Sequence, residues 1–285
     1  MIRILYMSDL HLEMERWQLS VPGWRDFMAR HRAPGKHPLR GPLLTGLPEA
    51  DLVVMAGDIH TGLRAVVYAE QVADYLGLPV VLVAGNHEFY HQQIQLVQPA
   101  LFSAAERSGG KVRYLENSVA SFELPGGRLH VLGCTLWTDF TLHGDPGAAM
   151  EFAAAHMNDF RLIYRMTTRF TPENARARHE RSRAWLHITL ARLRAEDPAA
   201  RIVVVTHHAP GAAFLGRRKG GIAPAYASEL LPEFQQAAPD AWIHGHTHFR
   251  HESQFGAVRV VSAPRGYVSH EGARALDFRP GLLEL

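Results

Sequence analysis

The stretch AWIHGHTH, residues 241–248, joins a short apolar run to a histidine-rich turn. The apolar residues are typical of the end of a strand. Histidines at positions i and i+2 of an extended or turning backbone point the same way. His246 and His248 could therefore both reach a metal ion beyond the strand tip, or both could be ordinary hydrogen-bonded loop residues. The rest of the chain decides between these interpretations.

Four earlier apolar runs also end in Asp, Asn or His, and each is typical of a buried strand. A helical pattern at 62–76 separates the second and third runs, and another at 91–107 follows the third, which predicts a parallel β-α-β core. The carboxyl ends of parallel strands gather at one edge, where ligands bind. In chain order, the ends are Asp9-Leu10-His11 after 2–7, Gly57-Asp58 after 51–56, Asn86-His87 after 80–84 and His207-His208 after 201–206.

The later part of the chain predicts a second sheet packed on the first. Residues 119–134 have the pattern of a β-hairpin, and 257–262 and 282–285 of closing strands. Helices are expected at 147–157, 173–195 and 226–237. We expect one domain over 1–285, with 13–47 as a long loop insertion. The segment 139–196 forms either a helical cap over the pocket or helices that flank the sandwich.

Composition limits the possible functions. The 285 residues are 47% hydrophobic and 20% charged, as in a soluble globular protein. The net charge of +2 argues against nucleic acid as a partner. No apolar run is long enough to cross a membrane, and the first residues are too short for a signal peptide, so a cytoplasmic location is expected. The single cysteine, Cys134, excludes an internal disulfide.

The residue types at the strand ends indicate which metals would fit. Asp, Asn and His without Cys suit Mn, Fe, Zn, Co or Ni, and not a structural thiolate zinc site. The set is too large for one tetrahedral ion and is about right for two divalent or trivalent ions. A carboxylate readily bridges two cations, and Asp58 is placed to do so.

These motifs, in this order from Asp9 to His248, resemble those of the calcineurin-like metallophosphoesterase superfamily. The resemblance implies an α/β fold, a four-layer αββα sandwich with a binuclear metal centre. It also implies that His87 lies near the scissile phosphate, as a transition-state stabiliser or general acid. The ligands it implies are Asp9, His11, Asp58 and His248 for one ion, and Asp58, Asn86, His246 and one of His207 and His208 for the other. His207 is preferred because it directly follows the strand, and His208 is the alternate.

The implied activity is hydrolysis of a small-molecule or nucleotide phosphoester, either a monoester or a diester. A hydroxide bridging the two metals would attack phosphorus, with Asp58 and His87 as the catalytic residues. A nuclease and a metal-free protein-binding scaffold are the alternatives. The low net charge argues against the first, and the complete ligand set argues against the second. Arg217 and Arg265 are candidates for substrate binding, or are simply a solvated charge and a packed side chain.

Overall fold

Two β-sheets stack face to face, with helices on their outer faces. The computed structural model of this chain describes residues 1–15, 44 and 46–285. Most of the expected 13–47 insertion therefore lies outside the described residues. Apolar side chains form one core between the sheets and one beneath each outer helical layer. The expected αββα sandwich is confirmed.

The first sheet has the strand order β13-β1-β2-β3-β4. Neighbours among β1 to β4 run parallel, and β13 pairs antiparallel with β1. Val112–Leu115, the edge strand β4, had not been expected from the sequence. The bounds are Arg3–Met7 for β1, Leu52–Ala56 for β2, Val80–Val83 for β3, Val112–Leu115 for β4 and Gly281–Glu284 for β13.

The second sheet has the order β11-β12-β10-β9-β6-β5. Its four central strands run parallel, and its two edge strands, β5 and β11, pair antiparallel with their neighbours. The bounds are Ser118–Leu124 for β5, Gly127–Cys134 for β6, Arg201–Thr206 for β9, Ala241–Ile243 for β10, His251–Phe255 for β11 and Val258–Ser262 for β12. A small separate hairpin is formed by β7, Tyr164–Arg165, and β8, Thr168–Arg169.

Alternation along the strands produces the layers. In β1, Ile4 and Tyr6 join the core between the sheets, whereas Leu5 and Met7 join the core under the first helical layer. Successive side chains of a strand point to opposite faces. Apolar residues at every position are therefore required in a strand that is buried on both sides.

The helices cover the two sheets unequally. Arg64–Leu76 and Ile94–Arg107 pack on the first sheet. The long helix Pro172–Glu196 packs Leu186, Leu190 and Leu193 on the second, so this part of 139–196 flanks the sandwich. Pro146–His156 ends instead beside the cavity described below.

One predicted helix is wrong. The segment expected as a helix at 226–237 forms a 3₁₀-helix only over Leu231–Ala237. Among the described residues, no helix is both long and apolar enough to span a bilayer.

Candidate metal centre

Five loops that follow strands meet at one edge of the sandwich. Three of them leave β1, β2 and β3 of the first sheet, and two leave β9 and β10 of the second. The seven side chains proposed as ligands are buried or nearly so, with His248 the most exposed at 9% of its side chain. They are Asp9, His11, Asp58, Asn86, His207, His246 and His248.

Five of these seven residues have a left-handed backbone. Their φ angles are 52° at Asp9, 48° at His11, 55° at Asp58, 66° at His246 and 53° at His248. Each such conformation costs a non-glycine residue about 1 kcal/mol or more. Hydrogen bonds between the loops hold it in place. The Asp9 N–H donates to the Gly57 carbonyl, and the His11 N–H donates to the Asp58 carbonyl, each at 3.0 Å.

The first group of converging side chains is Asp9, His11 and His248. The two imidazole Nε2 atoms of His11 and His248 are 3.1 Å apart. His248 Nε2 is also 3.4 Å from Asp9 Oδ1. Asp58 Oδ2 lies 3.8 Å from His11 Nε2, and Asp58, His11 and His87 form a further converging group that overlaps the first at His11.

The second group is Asp58, His207 and His246. His207 Nε2 lies 3.1 Å from His246 Nδ1, 3.0 Å from Asn86 Oδ1 and 3.4 Å from Asp58 Oδ2. Asp58 thus faces both groups with one carboxylate oxygen. That Asp58 bridges two metal ions stays a prediction.

The structure separates the two adjacent histidines. His207 points into the second group, whereas His208 Nδ1 lies 3.1 Å from the Thr135 carbonyl oxygen. Burial, together with the neighbouring His207, lowers the pKa of His208 to about 3. His208 therefore stays neutral and packs against the rings of Trp137 and His246.

Charge in the second group is strongly coupled. Burial alone would raise the pKa of Asp58, but His207 and His87 outweigh it and hold that pKa well below its usual range. Burial would likewise lower the pKa of His207, but Asp58 and Asp9 raise it to about 9. A positive charge is therefore strongly favoured between these residues, whether a proton or a metal ion supplies it.

His87 stands at the wall of the site. Its Nδ1 lies 2.8 Å from Glu13 Oε1, and its Nε2 lies 3.0 Å from Tyr267 Oη. Burial lowers the pKa of His87, but Asp58 and Glu13 outweigh it and raise that pKa to about 9. The pKa of Glu13 falls to about 2, because hydrogen bonds from His11 and His87 outweigh its burial.

Several contributors were missed by the sequence reasoning. Asp159 Oδ1 accepts hydrogen bonds from Asn86 Nδ2 and Tyr90 Oη, both at 2.7 Å. Tyr226 stacks on His246 with ring centroids 4.4 Å apart, and Tyr267 stacks on His11 at 4.2 Å. These partners are distant in the chain and carry no local motif. Glu13 alone had a signal, since it lies two residues after His11.

Glu88 ties two of the loops together from beneath. Its carboxylate accepts the N–H groups of Asp58 at 3.0 Å, Ile59 at 2.8 Å and Gly85 at 2.6 Å. Burial, with a further contribution from Asp58, raises the pKa of Glu88 to about 7. The sequence reasoning assigned no role to Glu88.

The two arginines proposed for substrate binding lie elsewhere. Arg217 is exposed and does not line the cavity, whereas its neighbour Arg218 does. The Arg218 guanidinium lies 4.7 Å from the centre of the Tyr226 ring. Arg265 is 1% exposed and donates to the carbonyls of Ala275 and Leu10. Both expectations are corrected: Arg218 faces the site, and Arg265 is an interior side chain bonded to the backbone.

The ligand groups open into a cavity of about 210 Å³, the catalytic cavity. Asp58, Asn86, His246 and His248 line its floor, and Arg218 and Tyr226 line one side. His156, the last residue of the helix Pro146–His156, and the next two residues, Met157 and Asn158, line another part of the wall. The size suits a phosphoryl group with part of its ester.

Comparison with known proteins agrees with this geometry. A family model described as calcineurin-like phosphoesterase matches residues 2–250. Among curated proteins, no sequence gives a significant match.

A search of solved structures finds one with the same fold and others that are less similar. The phosphopantetheinyl hydrolase from Mycobacterium tuberculosis is 16% identical, with a TM-score of 0.68 over 98% of this chain and 95% of that one. A putative 5'-nucleotidase from Staphylococcus aureus is 14% identical, with a TM-score of 0.47 over 92% of this chain and 48% of that one. With a family model that spans nearly the whole sequence, the chain belongs to the calcineurin-like phosphoesterase family and is a hydrolase of phosphoester bonds.

Proposed function

We propose that this protein hydrolyses a phosphomonoester or phosphodiester at a centre for two metal ions. The observation that carries the proposal is the position of Asp58 among the buried Asp and His groups, with its Oδ2 3.8 Å from His11 Nε2 and 3.4 Å from His207 Nε2. The proposed ligands are Asp9, His11, Asp58 and His248 for one ion, and Asp58, Asn86, His207 and His246 for the other.

The donor atoms fit cations. His207 Nδ1 donates its proton to the Ala56 carbonyl oxygen at 2.9 Å, so in the neutral ring Nε2 carries a lone pair. That lone pair faces the oxygens of Asn86 and Asp58. Buried acceptors that face one another are costly unless a proton or a cation lies between them. A metal ion satisfies all of them at once.

The proposed donors are nitrogen and oxygen atoms without sulfur, and such donors suit Mn, Fe, Zn, Co and Ni alike. When bound, two such ions would supply Lewis acidity to the phosphoryl oxygens and would lower the pKa of a water molecule. The carboxylate of Asp58, which faces both groups, would hold the two ions together.

The protein's own groups orient this chemistry. Asp159 and Tyr90 engage the amide nitrogen of Asn86, which leaves Asn86 Oδ1 pointing at His207. Glu13 engages Nδ1 of His87, so a substrate would meet the ring at Nε2, in place of the Tyr267 hydroxyl that lies 3.0 Å from it. His87 is thus positioned to donate a hydrogen bond to an ester oxygen, and Arg218 to pair with the phosphate.

The test combines metal content with turnover. The purified chain is reconstituted with Mn²⁺, and its metal content and hydrolysis of p-nitrophenyl phosphate and bis-p-nitrophenyl phosphate are measured. We expect about two equivalents of metal and turnover of at least one ester. Less than one equivalent and no turnover would support the scaffold alternative. Single-stranded DNA and RNA in the same panel test for a nuclease.

Asp58→Asn tests the shared ligand. The amide cannot bridge two cations as a carboxylate does, so we expect loss of metal and at least a hundredfold loss of kcat/KM, on the scale of removing several kcal/mol of electrostatic stabilisation. Asp74→Asn is the matched control, because Asp74 is an exposed aspartate paired with Lys111. Full activity of Asp58→Asn with two ions retained would rule out the shared role.

Natural substrates then need a panel. It contains nucleotides, sugar phosphates and a phosphopantetheine ester, the last because the mycobacterial neighbour is named for that group. That likeness, at 16% identity, shows the fold alone. The ester with the highest kcat/KM identifies the substrate class and distinguishes monoesterase from diesterase.

A further inference from the structure

A second cavity adjoins the catalytic cavity. It measures about 560 Å³ and is called the side cavity here. Given the function proposed above, we infer that the side cavity holds the leaving alcohol of the substrate, and that this alcohol is an uncharged group of up to nucleoside size. The proposal rests on the shared wall of the two cavities, on their charges and on their linings.

The two cavities share one wall. His87, Tyr90, Asn158, Tyr267 and His270 line both of them. A phosphoryl group above Asp58 and Asn86 in the catalytic cavity is therefore connected to the side cavity past the ring of His87. An organic group bonded to that phosphorus can extend into the side cavity without leaving the protein surface.

The charges of the two cavities differ. The catalytic cavity contains the Arg218 guanidinium. Among the described residues that line the side cavity, none is a lysine or an arginine, and Glu13 contributes a carboxylate. The other titratable groups there are His87, His91, His270 and the two tyrosines. A second phosphate or carboxylate would meet the Glu13 carboxylate, whose partner His87, at 2.8 Å, is already engaged with it. No lysine or arginine among the described lining residues would offset the repulsion.

The lining of the side cavity suits an apolar or aromatic group. Tyr90 and Tyr267 offer rings, and Met14 and Leu162 offer aliphatic surface. Thr61 and Ser269 supply neutral hydroxyl groups. Small-molecule sites are typically of this kind, mostly apolar with a few polar groups, and measure roughly 300–1,000 Å³.

The proposed hydrolysis consumes only the phosphoester and one water molecule. A water molecule adds to phosphorus, the P–O bond to the organic group breaks, and the alcohol leaves with the proton that its oxygen acquires. The leaving oxygen would lie at the shared wall, beside His87. The alcohol would then lie in the side cavity, and the phosphate in the catalytic cavity near Arg218.

The test uses two esters that differ by one charge on the leaving group, phenyl phosphate and 4-carboxyphenyl phosphate. For the metal-loaded wild type we expect a kcat/KM about tenfold higher for phenyl phosphate, the scale of discrimination that a single pocket contact provides. Ser269→Lys and Thr61→Lys each place a cation in the side cavity. Each should narrow the preference to about twofold by raising kcat/KM for the carboxylated ester.

Gln235→Lys is the control, because it adds the same charge at an exposed position that lines neither cavity. Gln235→Lys should leave the ratio of kcat/KM for phenyl phosphate to kcat/KM for 4-carboxyphenyl phosphate unchanged. The inference is overturned if the wild type hydrolyses both esters equally well, or if both lysine variants keep their activity on phenyl phosphate with the wild-type ratio. A metal-loaded wild type that hydrolyses no ester contradicts the proposed function instead. Circular dichroism confirms that each variant is folded.

Discussion

At the residue scale, residues at the centre of the site donate their N–H groups to partners outside it and leave their acceptor atoms facing inward. His207 directs its Nδ1 proton to Ala56, and Asn86 directs its amide protons to Asp159 and Tyr90. The atoms that remain face inward, toward the carboxylate of Asp58. In an ordinary buried hydrogen-bond network, donors and acceptors alternate. Here several acceptors face one another, as expected of a site that could hold a cation.

Asp159→Ala tests whether the orientation of the Asn86 amide matters for metal binding. Without Asp159 the Asn86 amide loses a partner and can rotate, so the affinity for the second metal ion should fall about 10- to 100-fold, the usual effect of removing a group that orients a ligand. Competition with a chelator measures the affinity of each ion. Unchanged binding of both ions would show that Asn86 is oriented without Asp159.

Tyr90→Phe is the partner experiment, because it removes the hydroxyl that shares Asp159 Oδ1 and leaves the carboxylate in place. Its effect on metal affinity should be smaller than that of Asp159→Ala.

Glu88→Gln tests the carboxylate beneath the loops. The amide group of glutamine would point N–H donors at N–H donors, so at least one of the buried N–H groups of Asp58, Ile59 and Gly85 loses its acceptor. We expect about 1–3 kcal/mol lower free energy of unfolding, measured by urea denaturation. Glu70→Gln, at a side chain that is 39% exposed, should change it little. Equal stabilities of the two variants would exclude the role given to Glu88.

How far single residues could be predicted depends on how local their signals are. Asp9, Asp58 and His246 lie two or three residues after the ends of β1, β2 and β10, and the apolar pattern of a strand shows where it ends. Asp159 and Tyr267 reach the site from loops whose sequences carry no such pattern. Arg217 and Arg218 are adjacent, so only the fold shows which of them faces inward.

At the element scale, the positions of the strand starts matter as much as their ends. Asp240 precedes β10 and accepts the N–H of Ile202 in β9 at 2.8 Å. It also pairs with Arg194 of the long helix and with Arg201, each at 2.8 Å. One carboxylate thus aligns two neighbouring strands whose far ends carry His207 and His246.

Asp240→Asn should weaken this alignment and lower the free energy of unfolding by about 1–2 kcal/mol at pH 7, the loss of a charged hydrogen-bond acceptor. Burial would raise the pKa of Asp240, but Ile202, Arg194 and Arg201 outweigh it and lower that pKa. A lowered carboxyl pKa stabilises the fold above the unfolded value of about 3.9, and this stabilisation is lost as the pH falls through the folded value.

The difference between wild type and Asp240→Asn should therefore be constant from pH 7 to about pH 5 and should shrink below about pH 4. Urea midpoints measured across this range check the sign. A difference that grows toward acid would contradict the assignment.

Elements with a clear period were predicted well, and those without one were not. The strands β1, β2, β3 and β9 are unbroken apolar runs, and the helix Pro172–Glu196 begins at a Thr171 cap with proline in its first turn. The strand β11 is mostly exposed and lacks an apolar face, so no pattern in its residues predicted it. Proline at 232 favours the tighter turn that replaces the helix expected near 226–237.

At the scale of the whole molecule, the site depends on how closely the two sheets approach. Gly133 in β6 faces the first sheet, and a Cβ built there would lie 2.5 Å from Leu115 Cβ and 2.8 Å from Val83 Cγ1. The ligands come from both sheets, so their spacing is set by this contact and by others like it. The single-domain boundary and the cytoplasmic location stay predictions.

Gly133→Ala should push the sheets apart locally and lower the free energy of unfolding by about 1–3 kcal/mol, the usual cost of overpacking a core. Gly147→Ala is the control, because a Cβ there would meet only Asp145 Oδ1, at 3.3 Å. Thermal denaturation compares the two variants. A Gly133→Ala protein as stable as the control would show that the sheets have room to spare.

The left-handed backbone at Asp9, His11, Asp58, His246 and His248 bears on how this chain could be engineered. At each of these positions glycine would relax the backbone, and asparagine tolerates the conformation better than histidine does. A screen for thermal stability alone would therefore favour replacement of these five side chains, which belong to the proposed metal centre. Selection for thermal stability in this protein must therefore be combined with selection for turnover, because stability and activity oppose each other at these five positions.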